Sequence, residues 1–424
     1  MKVLVCLNNL WTGGVGINAI ELGAALRDAH GFEMTFFAEA GPLLELIQEK
    51  RLSFYPAPDG PSLKRMLALR DVVRLKKPDL VHAWEWWQWY DVFYAVHLPM
   101  RIPMLISDMG MIPRPVMPKS VRATYGTPQL RDLARAEGRC AELLMPPVDV
   151  HANAPEAVDP RPFRTEFGLR EDDTAIVIVS RLARSMKSES LFRSVDAVHQ
   201  LGRDLPLRLL IVGEGAMRPS LQARADEVNR ALLRRAVILT GERLDPRPAY
   251  AAADIVIGMG SSALRGLAFS KPVVVVGEGS FAAVFTPETA DKFCYRGMYG
   301  YGDVGDDNSH LVASVRELAS HSERWEALGG YSRQFVVQHF ALEGLAARLA
   351  QYSEAAVADI GPLSVAIADA VRSCAVSLRG RQVAGLPMGP VVRRMLGLRF
   401  TEEYRNAAEK QSKSLLRRGQ GPLL

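Results

Sequence analysis

Apolar residues in this chain fall into two alternating patterns, short continuous runs and longer stretches with helical spacing. Residues 2–7 (KVLVCL) form the first run; the glycine-rich NNLWTGGVG follows, and apolar spacing over 17–27 is that of a helix. Further runs rich in β-branched and aromatic residues occur at 33–38, 79–83 and 103–107, with helix-like stretches between them. The alternation resumes at 175–179 (AIVIV), 207–212, 236–240, 254–258 and 272–276 (PVVVV), with helices predicted near 187–201, 217–232 and from Ser261 onward. Strands that are apolar throughout are buried on both faces, the habit of parallel sheets covered by crossover helices. Between the two halves, prolines at 146, 147, 155, 160 and 162 remove too many N–H groups for a helix or a central strand. The pattern therefore predicts an α/β protein with two doubly wound, Rossmann-like domains, 1–150 and 173–360. A linker is expected at 151–172. Residues 308–358 and 362–378 read as helices, and 361–424 reads as a helical segment with a basic tail, helical again beyond Gly389. Such sheets bind ligands at the carboxyl ends of their strands, which places the expected site in a cleft between the two domains.

Composition narrows the class. With 424 residues, 48% hydrophobic and 23% charged, the chain is an ordinary globular protein of two or three domains, which excludes disorder and coiled coil as the main architecture. No apolar run approaches about 18 residues, and the first residues lead straight into a strand rather than a leader pattern, so a cytoplasmic location is expected. Cys6, Cys140, Cys294 and Cys374 lie far apart without a CxxC pair and read as reduced thiols rather than a disulfide frame or a zinc site. The net charge of +5 is concentrated: between Arg393 and Arg418 eight Lys or Arg stand against three Glu. A balanced body with one basic tail argues against nucleic acid as the main ligand. The tail reads either as a solvated helix face or as a contact for anionic lipid or an acidic partner.

Several turns carry candidate chemistry. Gly13, Gly14 and Gly16 join the first strand to the first helix, where backbone N–H groups can approach an anion or simply form a tight turn. Arg181 follows a strand and Lys187 stands six residues later near a helix start, two cations suited to neutralising a diphosphate leaving group. Gly213, Glu214 and Gly215 form another close-approach turn. Gly258 and Gly260 precede Ser261 and Ser262 at a helix start, with Ser261 expected as the N-cap.

Taken in order, the GG loop, Pro78-Asp79-Leu80-Val81-His82, Pro147-Val148-Asp149, Arg181 with Lys187, VGEG, TGER, Ala253-Asp254-Ile255-Val256 and LAFSKPVVV resemble the retaining glycosyltransferases of family four, which have the GT-B fold. The resemblance runs over about residues 1–350. It implies transfer of a sugar from a nucleotide-diphosphate sugar to a small-molecule acceptor with retention, without a required metal or other cofactor; the chain has no DxD motif. It implies that Arg181 and Lys187 hold the donor diphosphate, that 240–243 (with Gly241 and Arg243) face the base, and that Gly13, Gly14 and Gly16 flank the phosphate and the transferred sugar. Gly213, Glu214, Gly215, Gly260, Ser261 and Ser262 complete the expected donor site. The family's second glutamate in the last loop is replaced by Arg265 and its first is missing, with Glu278 a candidate replacement acid. His82 is expected to touch the transferred sugar or handle the acceptor proton. Trp84, Trp86 and Trp87, from a cluster holding four of the six tryptophans, read as an acceptor platform or as packing. Domain closure is expected to exclude water from the reaction. Two alternatives stay open: a catalytically inactive nucleotide-sugar binding or scaffold subunit, and a GT-B epimerase or pseudo-glycosyltransferase.

Overall fold

The computed structural model describes residues 1–59, 62–85, 88–110, 114, 117–184, 186–302 and 307–383, with side chains to 374. It divides into two units: Met1–Pro147 together with the chain from Leu342 onward, and Val148–Ala341.

The first unit is built on a seven-stranded sheet of β1 (Lys2–Asn9), β2 (Glu33–Glu39), β3 (Ser53–Pro56), β4 (Leu80–Trp84), β5 (Met104–Asp108), β6 (Ala123–Tyr125) and β7 (Ala141–Leu143). Its order is β3-β2-β1-β4-β5-β6-β7, and every pairing is parallel. The continuous apolar runs of β1, β4 and β5 are buried throughout their middles, as strands covered on both faces must be. The second unit holds β8 (Thr174–Val179), β9 (Leu207–Val212), β10 (Val237–Gly241), β11 (Ile255–Gly258), β12 (Val273–Val276) and β13 (Ala282–Val284) in the order β10-β9-β8-β11-β12-β13. Only the β12–β13 pairing is antiparallel. Both sheets have helices interleaved with their strands, which makes each unit Rossmann-like.

The chain partitions differently from the sequence expectation. Residues 151–172 are part of the second unit rather than a linker, and contain the helix Arg161–Glu166. Val148 enters that unit beside Ala341, where it leaves: the Val148 N–H donates to the Phe340 carbonyl at 2.8 Å. The helix Leu342–Ala358, expected to end the second domain, packs instead on the helix Gly14–His30 and on β4 and β5. The helix Leu363–Val383 also joins the first unit, where Tyr94 Oη donates to the Ala370 carbonyl at 3.0 Å. The tail beyond Gly389, expected to be helical, lies outside the described residues.

Candidate functional site

In the second sheet the chain runs outward from β8 to β9 and β10 on one side, then returns to β11 on the other. The switch point, where loops diverge to opposite faces, is therefore the crevice at the carboxyl ends of β8 and β11. The loop after β8 is fastened to the turn after β9: Leu182 N–H donates to the Glu214 carbonyl at 2.8 Å and Met217 N–H to the Leu182 carbonyl at 2.9 Å. Gly213 and Gly215 have φ of +144° and +151°, and a Cβ on them would stand 2.0 Å from the Ser180 carbonyl oxygen and 2.5 Å from that of Leu182. These two glycines, expected at the donor, let the backbones of two loops touch and so fix where Arg181 begins. Glu214 turns to Arg218 one helical turn on and forms an ion pair with it.

Lys187 is the residue immediately before the helix Ser188–Leu201, whose N-terminus has no side-chain cap. It is half-buried, while Arg181 is exposed. Loss of water around Lys187, and secondarily the charge of Arg181, bring its ammonium pKa down from 10.5 to about 8. The two cations are thus within Coulombic reach of each other, and among the described residues neither forms an ion pair. Two cations within Coulombic reach of each other beside a helix N-terminus without a side-chain cap are a combination that suits a polyanion.

The first turn of that helix is clamped to the loop after β12. The Glu189 carboxylate accepts from Ser280 N–H at 2.7 Å and Gly279 N–H at 3.2 Å, and Arg193 approaches it at 3.5 Å. Sequence reasoning passed over Glu189; only the strand order brings the loop after β12 to this helix. Glu278 belongs to the clamped loop. It is half-buried, and its backbone is held on both sides, its N–H donating to Gly300 O at 3.1 Å and its carbonyl accepting from Gly302 N–H at 2.9 Å. Burial, then the Glu278 and Tyr301 charges, push the Tyr299 phenol well above its usual range.

Across the crevice, the helix Ser261–Ala268 begins at Ser261 as the sequence predicts, but Ser261 is not its cap. Gly260, with φ +55° and ψ −132°, is the N-cap, and Ser261 is already helical and does not cap. That backbone suits glycine and strains any other residue, so the chain turns at 260. Gly260 N–H donates to the Met298 carbonyl at 2.8 Å, and Ser262 Oγ accepts from the buried Tyr250 hydroxyl at 3.1 Å. Arg265 is half-buried on the same helix. Its charge helps to hold Asp245 below the usual carboxylate range: partial withdrawal from water pushes that carboxyl up, but hydrogen bonds from the Arg247 side chain and backbone outweigh it. Arg243, expected to face a nucleotide base from the loop after Gly241, is ion-paired with Glu166 and lies over the Phe167 ring at 5.4 Å.

In the first unit the expectations for ligand contact change. His82 is 1% exposed on β4, with Nε2 2.8 Å from Ser107 Oγ, which lies 2.7 Å from Thr124 Oγ1. Burial lowers its pKa to about 3, so it is a neutral member of a polar relay across β4, β5 and β6. A closed-in imidazole cannot touch a sugar as it stands. Trp84, also 1% exposed, packs against the His82 ring with centroids 5.0 Å apart and is core rather than a stacking surface. Trp86 and Trp87 lie outside the described residues. Gly13 is the N-cap of the helix Gly14–His30 in extended backbone, φ −179°, which any residue adopts. Gly16 is buried, where a Cβ would meet Leu43 Cδ1 at 2.7 Å. What the strand order does place at this sheet's switch point, between β1 and β4, is a polar group that spacing alone did not suggest. Asn8 Nδ2 donates to Glu85 Oε2 at 3.2 Å, and Gln88 Nε2 donates to Asn8 Oδ1 at 3.2 Å. Glu85 has φ +67°, a strained backbone for a non-glycine residue.

Two Rossmann-like units describe a class of fold, and comparison with known proteins agrees. Residues 173–297, which span all six strands of the second sheet, match the family model described as glycosyl transferases group 1. A glycosyltransferase from Rickettsia africae superposes with a TM-score of 0.68 at 16% identity, over 83% of this chain and 98% of that one. HepE of Anabaena, solved in complex with UDP, gives 0.67 at 14% identity, over 84% and 100%. Sucrose-phosphate synthase of Thermosynechococcus elongatus gives 0.64 at 15% identity, over 84% and 100%. Among curated proteins no sequence matches. Residues 173–297 thus carry a segment that matches the glycosyl transferases group 1 model, within a chain whose fold is that of GT-B glycosyltransferases.

Proposed function

We propose that this enzyme moves a sugar from a nucleotide-diphosphate sugar to a small-molecule acceptor, with retention at the anomeric carbon. The observation that carries the reading is the pair Arg181 and Lys187, two cations within Coulombic reach of each other beside an uncapped helix start, with no ion-pair partner among the described residues. A donor diphosphate would lie on Lys187 and Arg181, with the starts of the helices Ser188–Leu201 and Ser261–Ala268 on either side. UDP, which HepE binds, is the first nucleotide to test.

In the transfer, the bond between the anomeric carbon and the diphosphate oxygen breaks, and the acceptor hydroxyl oxygen bonds to that carbon on the same face. The acceptor proton passes to the departing diphosphate oxygen, so no side chain need act as nucleophile. Negative charge grows on the diphosphate as the bond breaks, and Arg181 and Lys187, already in place, stabilise it more in the transition state than in the ground state. Because this charge neutralisation comes from side chains, the reading assigns no metal to the step. Glu278, on the loop clamped by Glu189, is assigned the donor-sugar hydroxyls. The acceptor is assigned to the carboxyl ends of β1 and β4, around Asn8 and Glu85.

The test is a thermal-shift and turnover panel. Stabilisation by UDP or another nucleoside diphosphate, lost in Lys187→Ala, together with labelled sugar appearing in a new glycoside of unchanged anomeric configuration, is the expected result. Donor binding without transfer to any acceptor would favour the binding-subunit alternative, for which Arg265 in place of a glutamate is the specific motive. Epimerised donor as the sole product would favour the epimerase.

A further inference from the structure

The helix Leu363–Val383 is inverted in polarity relative to an ordinary surface helix. Its inner face is small and polar. Asp369 is buried and accepts from Ser120 N–H at 2.7 Å, Ser120 Oγ at 2.8 Å and Arg372 Nε at 2.8 Å. Arg372 also donates to the Met117 carbonyl at 2.7 Å, and Ala366, Ala370 and Ser373 fill the rest of the contact. These bonds fix which way the helix faces. Outward, Leu363, Ile367 and Val371 recur every four residues, 46%, 50% and 66% exposed, with Val365 on the flank at 51%. Every exposed residue from Pro362 to Cys374 is uncharged. An exposed aliphatic row over a buried carboxylate needs a reason, since folding alone would place them the other way round.

We propose that this face rests on an anionic lipid surface, with the aliphatic row entering the headgroup boundary and the basic chain that follows supplying the electrostatic attraction. Eight Lys or Arg against three Glu lie between Arg393 and Arg418, next in the chain after this helix, and the row itself offers them no carboxylate to pair with. Stable peripheral binding takes two such signals, one apolar and one cationic, because either alone is marginal. No helix among the described residues is long and apolar enough to cross a membrane, so the helix is assigned to lie on the surface. A single row of half-exposed aliphatic side chains falls well short of the roughly 800 Å² per partner that a stable dimer buries. The inference does not rest on the sugar-transfer reading.

The experiment is co-sedimentation of the full chain with vesicles of phosphatidylcholine alone and of phosphatidylcholine with phosphatidylserine in about a 2:1 ratio. The wild type is expected to bind the mixed vesicles, to bind neutral ones weakly, and to release as salt rises. The double variant Ile367→Asp, Val371→Asp is expected to lose roughly tenfold or more in partitioning. Its thermal midpoint and its response to UDP should match the wild type, since neither side chain supports the fold. Equal partitioning of variant and wild type would overturn the proposal. So would a wild type that ignores both vesicles, one that binds them only after residues 384–424 are removed, which would make the tail the occupant, or a dimer in sedimentation that the double variant dissolves, which would make it a second copy.

Discussion

Lys187 shows how a single ammonium reports on its surroundings. Withdrawal from water and the nearby Arg181 bring its pKa to about 8, so the free protein loses this charge as pH rises through that value. A bound diphosphate would favour the charged form and take up the proton. Donor affinity is therefore expected to be full below about pH 8 and to fall above it, by up to about tenfold per pH unit for one linked proton. Isothermal titration with UDP across that range checks it, and Lys187→Arg, which stays charged, should flatten the profile. Lys187→Ala is expected to lower turnover by roughly a hundredfold or more, the cost of one preorganised stabilising group. His82 behaves oppositely. Its folded pKa of about 3 lies below the ordinary 6.5, so its contribution to stability is complete above about pH 6.5 and is lost as pH falls toward 3. His82→Ala leaves Ser107 without its partner inside the sheet and is expected to cost about 2 kcal/mol or more in urea unfolding, with UDP binding retained. Collapse of turnover in that variant at unchanged stability would restore His82 to a catalytic role.

At the level of elements, the second unit separates two uses of glycine. Gly213 allows the turn after β9 to lie against the loop after β8, whereas Gly260 has open space around it and serves the backbone turn before a helix. Gly213→Ala must displace a carbonyl and is expected to cost about 3 kcal/mol or more. Gly260→Ala meets only backbone strain, about 1–2 kcal/mol. Denaturant midpoints of the two variants test the ranking. The strands visible in the sequence were the long apolar ones: β1, β2, β4, β5 and β8 to β12 all formed where the runs predicted them. β3, β6, β7 and β13 were not visible. β6, β7 and β13 have three residues each, and β3 (SFYP) ends in Pro56 at the sheet edge, so none shows the unbroken apolar run that marks the four-residue β11 and β12. The helix start at Ser261 was legible, but its cap was not, because a glycine held at positive φ leaves no side-chain signature.

At the level of the whole molecule, all the groups assigned to the donor belong to Val148–Ala341, so hydrogen exchange with saturating UDP should show protection confined to 180–190, 213–215, 241–245, 258–265 and 277–280. Protection concentrated at Asn8 and Glu85 instead would move the nucleotide to the first unit. By itself the sequence determined the class of fold, two rounds of strand and helix, because fully apolar runs of strand length have few solutions other than a covered parallel sheet. It also determined the cations at 181 and 187, because their order relative to strand ends is a property of the chain. Which unit the helices beyond 341 join was decided only by packing, since helical periodicity is the same on both sides of Ala341 and does not name the core it faces. The fates of His82 and Trp84 were likewise tertiary. A strand-end residue points to solvent or to core according to what lies over it, and here Ser107 and Thr124 on neighbouring strands close the space. The gathering of Asn8, Glu85 and Gln88, and the clamp from Glu189 to the loop after β12, exist only once the strand order brings distant segments to one sheet end.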